Sequence, residues 1–217
     1  MADIKKQLFE RLAMVAHCLA SPQRIALLDY LAQAERSVEE LSQLSGLNFA
    51  NTSRHLQVLK NHGLVLVKKQ GKSRVYEISG EDVILLVRSL RQTAETHIAE
   101  MDRLLLDLDA NEIFSKQMSR QELLGRLDEK NFVIVDVRPE KEFAQGHIKG
   151  AINVSPDQIN EAVETLPKGK VVVAYCRGPY CVYSKQLLNA LKENGQQSYQ
   201  LEEGFPEWKA EGFPWMT

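Results

Sequence analysis

Apolar positions recur with two different periods along this 217-residue chain. Up to about Leu108 they return every three or four residues, the spacing that lines one side of an α-helix. From about Phe132 onward, short apolar runs (FVIVDV, GAINV, VVVAY, QSYQL) alternate with helical stretches. That alternation predicts a parallel α/β sheet. The texture changes near LDLDANEIFSKQM, so two domains are expected, 1–108 and 119–217, joined by a linker at 109–118. Ser119 followed by Glu122 is a capping box that opens the first helix of the second domain.

Within the first half, Ser21-Pro22 marks a helix start, with Pro in the first turn and Ser as its cap. Ser37 and Glu40 form another capping box ahead of the short helix VEELSQLS, which stops at Gly46. A second helix, FANTSRHLQVLKNHG, carries Leu56 and Leu59 on its apolar side and ends at Gly63. Two short helices joined by a Gly-containing turn make a helix-turn-helix. The stretch LVLVKKQGKSRVYEI then reads as strand, Gly-centred turn and strand, a β-hairpin wing. Further on, Val83, Leu86, Leu90, Ala94, Ile98, Met101, Leu105 and Leu108 recur at three- and four-residue steps over 81–108. This predicts one long helix with a coiled-coil-like seam, and hence a homodimer.

Composition bounds the setting. No apolar run approaches the ~20 residues a bilayer span needs, and MADIKKQLFERLAM is a charged amphipathic helix, not a signal peptide. A cytoplasmic protein without membrane association is expected. Cys18, Cys176 and Cys181 are too few and too uneven for a secreted disulfide framework. The net charge of -2 gives no hint of nucleic acid, yet the average conceals a patch. Between Glu40 and Glu77 there is no acidic residue, while Arg54, Lys60, Lys68, Lys69, Lys72 and Arg74 all fall there. On a helix-turn-helix with a basic wing, that is the footprint of a polyanion.

LASPQRIALLDYL, SVEELSQLSGL, SRHLQVLKNHGLV and GKSRVYEI together resemble the ArsR-type winged helix-turn-helix regulators over nearly the whole first half. The resemblance implies that the FANTSRHL helix enters the major groove of double-stranded DNA, with its N-terminal part near base edges. Asn51, Ser53 and Arg54 are the expected contacts there, and Lys69, Lys72 and Arg74 would grip phosphates from the wing. Arg54 can fork onto a guanine edge; His55 is a helix-packing residue. A two-fold dimer implies a palindromic operator with half-sites about one helical turn apart. The cysteine-bearing motif of the arsenic sensors is absent, since the corresponding stretch reads SVEELSQLS. Cys18 is then a core residue, and His17 and His97 do not complete a zinc set. No metal and no cofactor is expected.

VVVAYC is a near-continuous apolar run, expected to form a central strand buried on both faces. Functional loops of a parallel α/β sheet lie at the carboxyl ends of its strands, and Cys176 is the residue at that end. The loop Cys176-Arg177-Gly178-Pro179-Tyr180-Cys181 then feeds the helix VYSKQLLNALKEN. Such a loop can turn successive backbone N–H groups inward as an anion-binding nest, and the helix N-terminus adds partial positive charge. Both favour a Cys176 thiolate with a pKa below the ordinary value of about 8.5, with Arg177 helping from the rim. A persulfide on Cys176 would be held by the same donors. Cys181 either attacks that persulfide, making the loop a switch, or simply fills the loop's base.

From about Ser119 the chain resembles the rhodanese (sulfurtransferase) domain. VIVDVRPEKEFAQGHIKGAINV carries Asp136, Arg138, Glu142, Gly146, His147, Ile148, Gly150, Ala151 and Asn153 of its upstream motif. LEEGFPEWKAEGFPW matches its closing motif, with Glu203 where the first glycine of a Gly-Gly pair is usual. The resemblance implies structural roles for Asp136 and Arg138, with Glu142 a partner for Arg138, and a scaffold role for His147. Phosphatase and arsenate-reductase relatives use a longer loop, whose arginine clamps an oxyanion. Here Val182 stands at that arginine's position, which favours sulfur chemistry. The expected molecule is a dimeric repressor whose rhodanese domain takes sulfane sulfur from a donor onto Cys176 and thereby changes DNA binding. The alternatives are a thiosulfate or persulfide sulfurtransferase with a separate DNA-binding duty, and a metal or arsenic sensor.

Overall fold

The computed structural model describes residues 2–71, 73–109 and 116–217. The chain forms two compact units, Met1–Val87 and Arg88–Thr217. The division falls inside one helix, upstream of the expected 109–118 linker, most of which lies outside the described residues. No described helix is long and apolar enough to cross a membrane.

The first unit contains α1 (Ala2–Leu19), α2 (Pro22–Gln33), β1 (Arg36–Ser37), α3 (Val38–Ser45), α4 (Phe49–Asn61), β2 (Val65–Gln70), β3 (Ser73–Ile78) and the start of α5 (Glu81–His97). The capping box of α3 is present: Glu40 N–H donates to Ser37 Oγ at 3.2 Å, and Ser37 N–H to Glu40 Oε2 at 2.9 Å. Gly46 closes the helix at φ 68°, a left-handed conformation that favours glycine. Ser21 occupies the cap position of α2, but its hydroxyl bonds the Gln23 side chain, so it caps no backbone N–H. Asn48 caps α4, accepting from the Asn51 N–H at 2.9 Å. Leu27, Leu28, Leu31, Leu41, Leu56, Leu59, Tyr76 and Val83 close one core. Gln57 donates to the Tyr76 hydroxyl at 2.9 Å, which ties α4 to the wing.

The long helix expected over 81–108 is broken at Ile98 into α5 and α6 (Ala99–Asp109). The Met101 N–H bonds the Ile98 carbonyl at 2.8 Å, a tightened three-residue turn. Thr96 and Ile98 are β-branched, and the Thr96 hydroxyl bonds back to the Gln92 carbonyl at 2.8 Å; both features weaken a helix at that point.

In the second unit follow β4 (Lys116–Met118), α7 (Arg120–Arg126), β5 (Phe132–Asp136), α8 (Glu140–Gln145), β6 (His147–Ile148), β7 (Ile152–Asn153), a 3-10 turn at Pro156–Gln158, α9 (Ile159–Thr165), β8 (Val171–Tyr175), α10 (Val182–Glu193), β9 (Ser198–Leu201), α11 (Phe205–Ala210) and β10 (Trp215–Met216). The main sheet is parallel, in the order β4-β9-β8-β5-β7. β8 lies in its middle, buried throughout. Its side chains alternate between two cores, as the period of a strand requires. Val172, Ala174 and Cys176 pack with Leu187, Leu188 and Leu191 of α10, while Val173 and Tyr175 pack with Phe205 and Trp208. β4 lies in the stretch read from sequence as linker. Three residues, KQM, carry too little pattern to announce a strand.

Candidate functional sites

The helix-turn-helix presents polar residues to solvent where the sequence places them. Asn51 and Arg54 are exposed on α4 and Ser53 is half-buried one turn from the cap. On the wing, Lys69 and Arg74 are exposed and stand directly opposite each other across the hairpin. Two cations in register repel, so this pairing is stabilised by an anion placed between or against them. Lys72 lies outside the described residues. Lys68 contributes less to the basic face than its charge suggests, since its Nζ pairs with Glu77 Oε2 at 2.6 Å. His55 is half-buried, and its pKa is lowered below 6.5, first by burial and then by the Arg24 and Arg54 charges. That suits a packing residue. Cys18 is a buried free thiol whose pKa is raised by burial, partly offset by Arg24.

In the second unit, Cys176 follows β8 directly and is 3 % exposed. It is joined to Cys181, the N-cap residue of α10, in a disulfide with a Cα–Cα distance of 6.2 Å. The two residues therefore meet across the loop, and a donor reaches the Cys176 sulfur only once that link is open. The loop between them is tightened by the Cys181 N–H donating to the Gly178 carbonyl at 3.1 Å. Pro179 is half-buried and Tyr180 is exposed.

Arg177, expected at the rim of the sulfur site, is half-buried and pairs with a carboxylate. Its Nη2 and Nε donate to the buried carboxylate of Glu142 at 2.6 and 3.0 Å. A two-point, charge-assisted pair of this kind outweighs a single contact to a thiolate. Glu142 thus ties α8 to the loop, and its charge also acts on Arg138, the partner expected for it. Arg138 makes its own pair with Asp136, Nη2 to Oδ2 at 2.6 Å, both side chains at 0 % exposure. It also donates to the Gly146 carbonyl at 2.7 Å and lies over the Phe205 ring. Asn153 bonds the Asp136 and Arg138 carbonyls at 2.9 Å each. His147 stacks on Phe143 and its Nδ1 lies 3.0 Å from the Phe143 carbonyl oxygen. These are scaffold contacts, all turned to holding the strand ends.

The wall behind the loop joins Glu203 to arginines that the sequence reading passed over. A Cβ at Gly204 would lie 2.8 Å from the Cys176 carbonyl oxygen and would overlap the Arg177 carbonyl, so only glycine fits there. Its neighbour Glu203 accepts through Oε1 from Arg88 Nε at 2.8 Å and Arg91 Nη2 at 3.1 Å, and its Oε2 forms an ion pair with Arg120 Nη2 at 2.8 Å. Arg88 and Arg120 also reach Glu211, and Arg91 reaches Glu207. Three arginines face three glutamates, so the largely buried cluster is neutral overall. The signal in the sequence was the unusual Glu203 itself, together with Arg88, Arg91 and Glu95 at the three- and four-residue steps of one helix face. Glu95 accepts from the Tyr180 hydroxyl at 2.5 Å, and burial with that carboxylate raises the phenol's pKa.

Residues 21–67 match the family described as bacterial regulatory protein, arsR family, and residues 119–211 match the rhodanese-like domain. The chain is 35% identical over 213 residues to the HTH-type transcriptional regulator Rv0324 of Mycobacterium tuberculosis, covering 98% of this chain and 93% of that one. It is 32% identical over 96 residues to the thiosulfate sulfurtransferase GlpE of Coxiella burnetii, covering 44% of this chain and 88% of that protein. Among solved structures, the homodimeric winged helix-turn-helix DNA-binding domain Mb0332 (fragment 1-100) from Mycobacterium bovis aligns with a TM-score of 0.43 at 37% identity. It covers 46% of this chain and 93% of its own. The chain belongs to the ArsR-family helix-turn-helix transcriptional regulators, in a form that carries a C-terminal rhodanese-like domain.

Proposed function

We propose that this protein is a homodimeric repressor that binds a palindromic DNA operator and is controlled by sulfane sulfur taken up on Cys176. The observation that carries the reading is the pair Cys176 and Cys181, brought within bonding reach at the carboxyl end of the central strand and the start of α10. Asn51, Ser53 and Arg54 serve base edges and nearby phosphates, and Lys69, Lys72 and Arg74 serve the backbone. Dimerisation is supported by apolar side chains left at the surface of three helices, among them Ile4, Leu8 and Leu12 on α1, Leu86 and Leu90 on α5 and Leu104 on α6. Burying them in a two-fold seam would remove a large exposed apolar area from water.

With the disulfide reduced, the Cys176 thiolate attacks the sulfane sulfur of a polysulfide or thiosulfate. The donor's S–S bond breaks, the donor leaves as a shortened polysulfide or as sulfite, and Cys176 holds a persulfide. The Cys181 thiol then attacks the Cys176 sulfur and expels the terminal sulfur as hydrogen sulfide, closing the disulfide. The sulfane sulfur is reduced and the two cysteines are oxidised, so no further oxidant is needed. Gly178, Pro179 and Tyr180 shape the loop in which this occurs, and Arg177 fixes it through Glu142.

The test uses Cys176→Ser in the full-length protein. Sodium tetrasulfide should release the wild type from a duplex selected out of a random library, while Cys176→Ser binds that duplex equally well and does not release. Release of the substituted protein would overturn the reading. The likeness to GlpE favours a second reading, catalysis of sulfur transfer. Sustained turnover with thiosulfate and a thiol acceptor would establish it, and single-round persulfidation would exclude it.

A further inference from the structure

We propose that α5 reads the state of the cysteine loop, holding it at its tip through Glu95 and at its base through the Arg88–Arg91–Glu203 cluster. The inference rests on the reading that sulfur on Cys176 controls the protein. At the tip, the Tyr180 hydroxyl donates to Glu95, and Arg91 Nη1 approaches within 3.9 Å of the position a Cβ on Gly178 would take. At the base, Gly204 is pressed against the carbonyls of Cys176 and Arg177. The residue before it, Glu203, is bound by both arginines of α5. The loop therefore has two attachments to one helix, one at each side of the Cys176–Cys181 link.

An added sulfur atom needs room, and Cys176 has almost none: it is 3 % exposed and packs with Leu187, Leu188 and Leu191. Close-packed interiors do not absorb an extra atom without displacing a neighbour. Opening the link and loading Cys176 must shift the loop backbone, which bears on Gly204 on one side and Tyr180 on the other. Both displacements arrive at α5. That helix carries Val83, a member of the first unit's core, in its first turn and runs without interruption through Arg88, Arg91 and Glu95. The departure at Glu203 thus acquires a purpose: a glycine there could not hold two arginines.

The experiment compares full-length wild type with Arg88→Met/Arg91→Met and, separately, Glu95→Ala. Each is reduced, treated with sodium tetrasulfide and analysed in parallel. Mass spectrometry reads loading, as sulfur on Cys176 or as the Cys176–Cys181 disulfide to which that persulfide closes, and fluorescence anisotropy reads affinity for the library-selected duplex. In the wild type, loading should change affinity about tenfold, within the usual range of roughly 5–150-fold for linked sites. The double variant should load to the same extent and bind unloaded DNA as the wild type does, while its response falls below about twofold. Glu95→Ala should lose part of the response. A full response in the double variant, with loading intact, overturns the inference while leaving the proposed function standing. Failure of the wild type itself to load overturns the proposed function and this inference with it. Hydrogen exchange gives a readout independent of any substitution. Amides over 88–97 should exchange faster after tetrasulfide treatment of the wild type, and unchanged exchange there excludes α5 as the reader. Arg88→Lys/Arg91→Lys, which keeps the charges, should restore part of the response.

Discussion

The two units treat charge in opposite ways. In the first, the polar residues of interest, Asn51, Arg54, Lys69 and Arg74, stand in solvent, and two of them face each other as like charges across a hairpin. In the second, charges are drawn inward and matched: Asp136 with Arg138, Glu142 with Arg177, and three glutamates with three arginines around Glu203. The contrast separates two kinds of work. A surface that leaves cations unmatched is open to an anion from outside the chain, the role the proposed function gives to a phosphate backbone. Buried, matched pairs complete themselves, and their business is to hold a loop and a sulfur atom in place.

The largest effect should come from breaking an inward pair. Asp136→Asn breaks the buried ion pair with Arg138, a loss of roughly 3–5 kcal/mol. Urea denaturation followed by a second-unit probe such as Trp208 fluorescence should shift accordingly, while DNA affinity stays near the wild type. A variant as stable as the wild type would mean that Arg138 finds equal compensation elsewhere. On the outward side, the effects should fall on binding and leave stability alone. Arg54→Ala should cost about 1–3 kcal/mol and relax preference at one base pair. Lys69→Ala should weaken all duplexes alike and lower the slope of log affinity against log salt by about one. A binding-site selection at several salt concentrations tells the two apart.

The smallest effect belongs to Cys18. Burial raises its pKa above 9.0, so the unfolded chain releases the thiol proton first. Stability from this group is therefore complete below about pH 9 and falls as pH rises beyond it. Cys18→Ala should lose roughly 1 kcal/mol at neutral pH, and the gap to wild type should narrow in the alkaline limb of a denaturation series. Sulfur response should be unaffected.

Much of this was legible along the chain because the signals were local. A run of β-branched residues ending in cysteine and a Gly-Pro turn announced β8 and its loop. Ser37 with Glu40, and the acid-free interval up to Glu77, announced the helix-turn-helix and its basic face. What escaped was either very short or very distant. β1 and β4 span two and three residues, too few to show a period. The break at Ile98 was hidden by an apolar spacing that runs through it unchanged. Lys68 counted as free charge because cross-strand pairing with Glu77 depends on hairpin register, which composition does not carry. Arg88 meets Glu203 across 115 positions, and no neighbouring residue tells a helical arginine which distant carboxylate it will meet. The Arg177 pair was hidden for the same reason, since Glu142 approaches it from another element.

The neutral cluster around Glu203 also sets what counts as a separable module. A fragment cut at the boundary between the family matches, from residue 119 onward, would keep Glu203, Glu207, Glu211 and Arg120 but leave Arg88 and Arg91 behind. Three carboxylates would then share one guanidinium beside the sulfur loop. Such a fragment would present an acidic threshold to polysulfide and thiosulfate, both anions, and its kinetics would describe a protein the full-length chain never resembles.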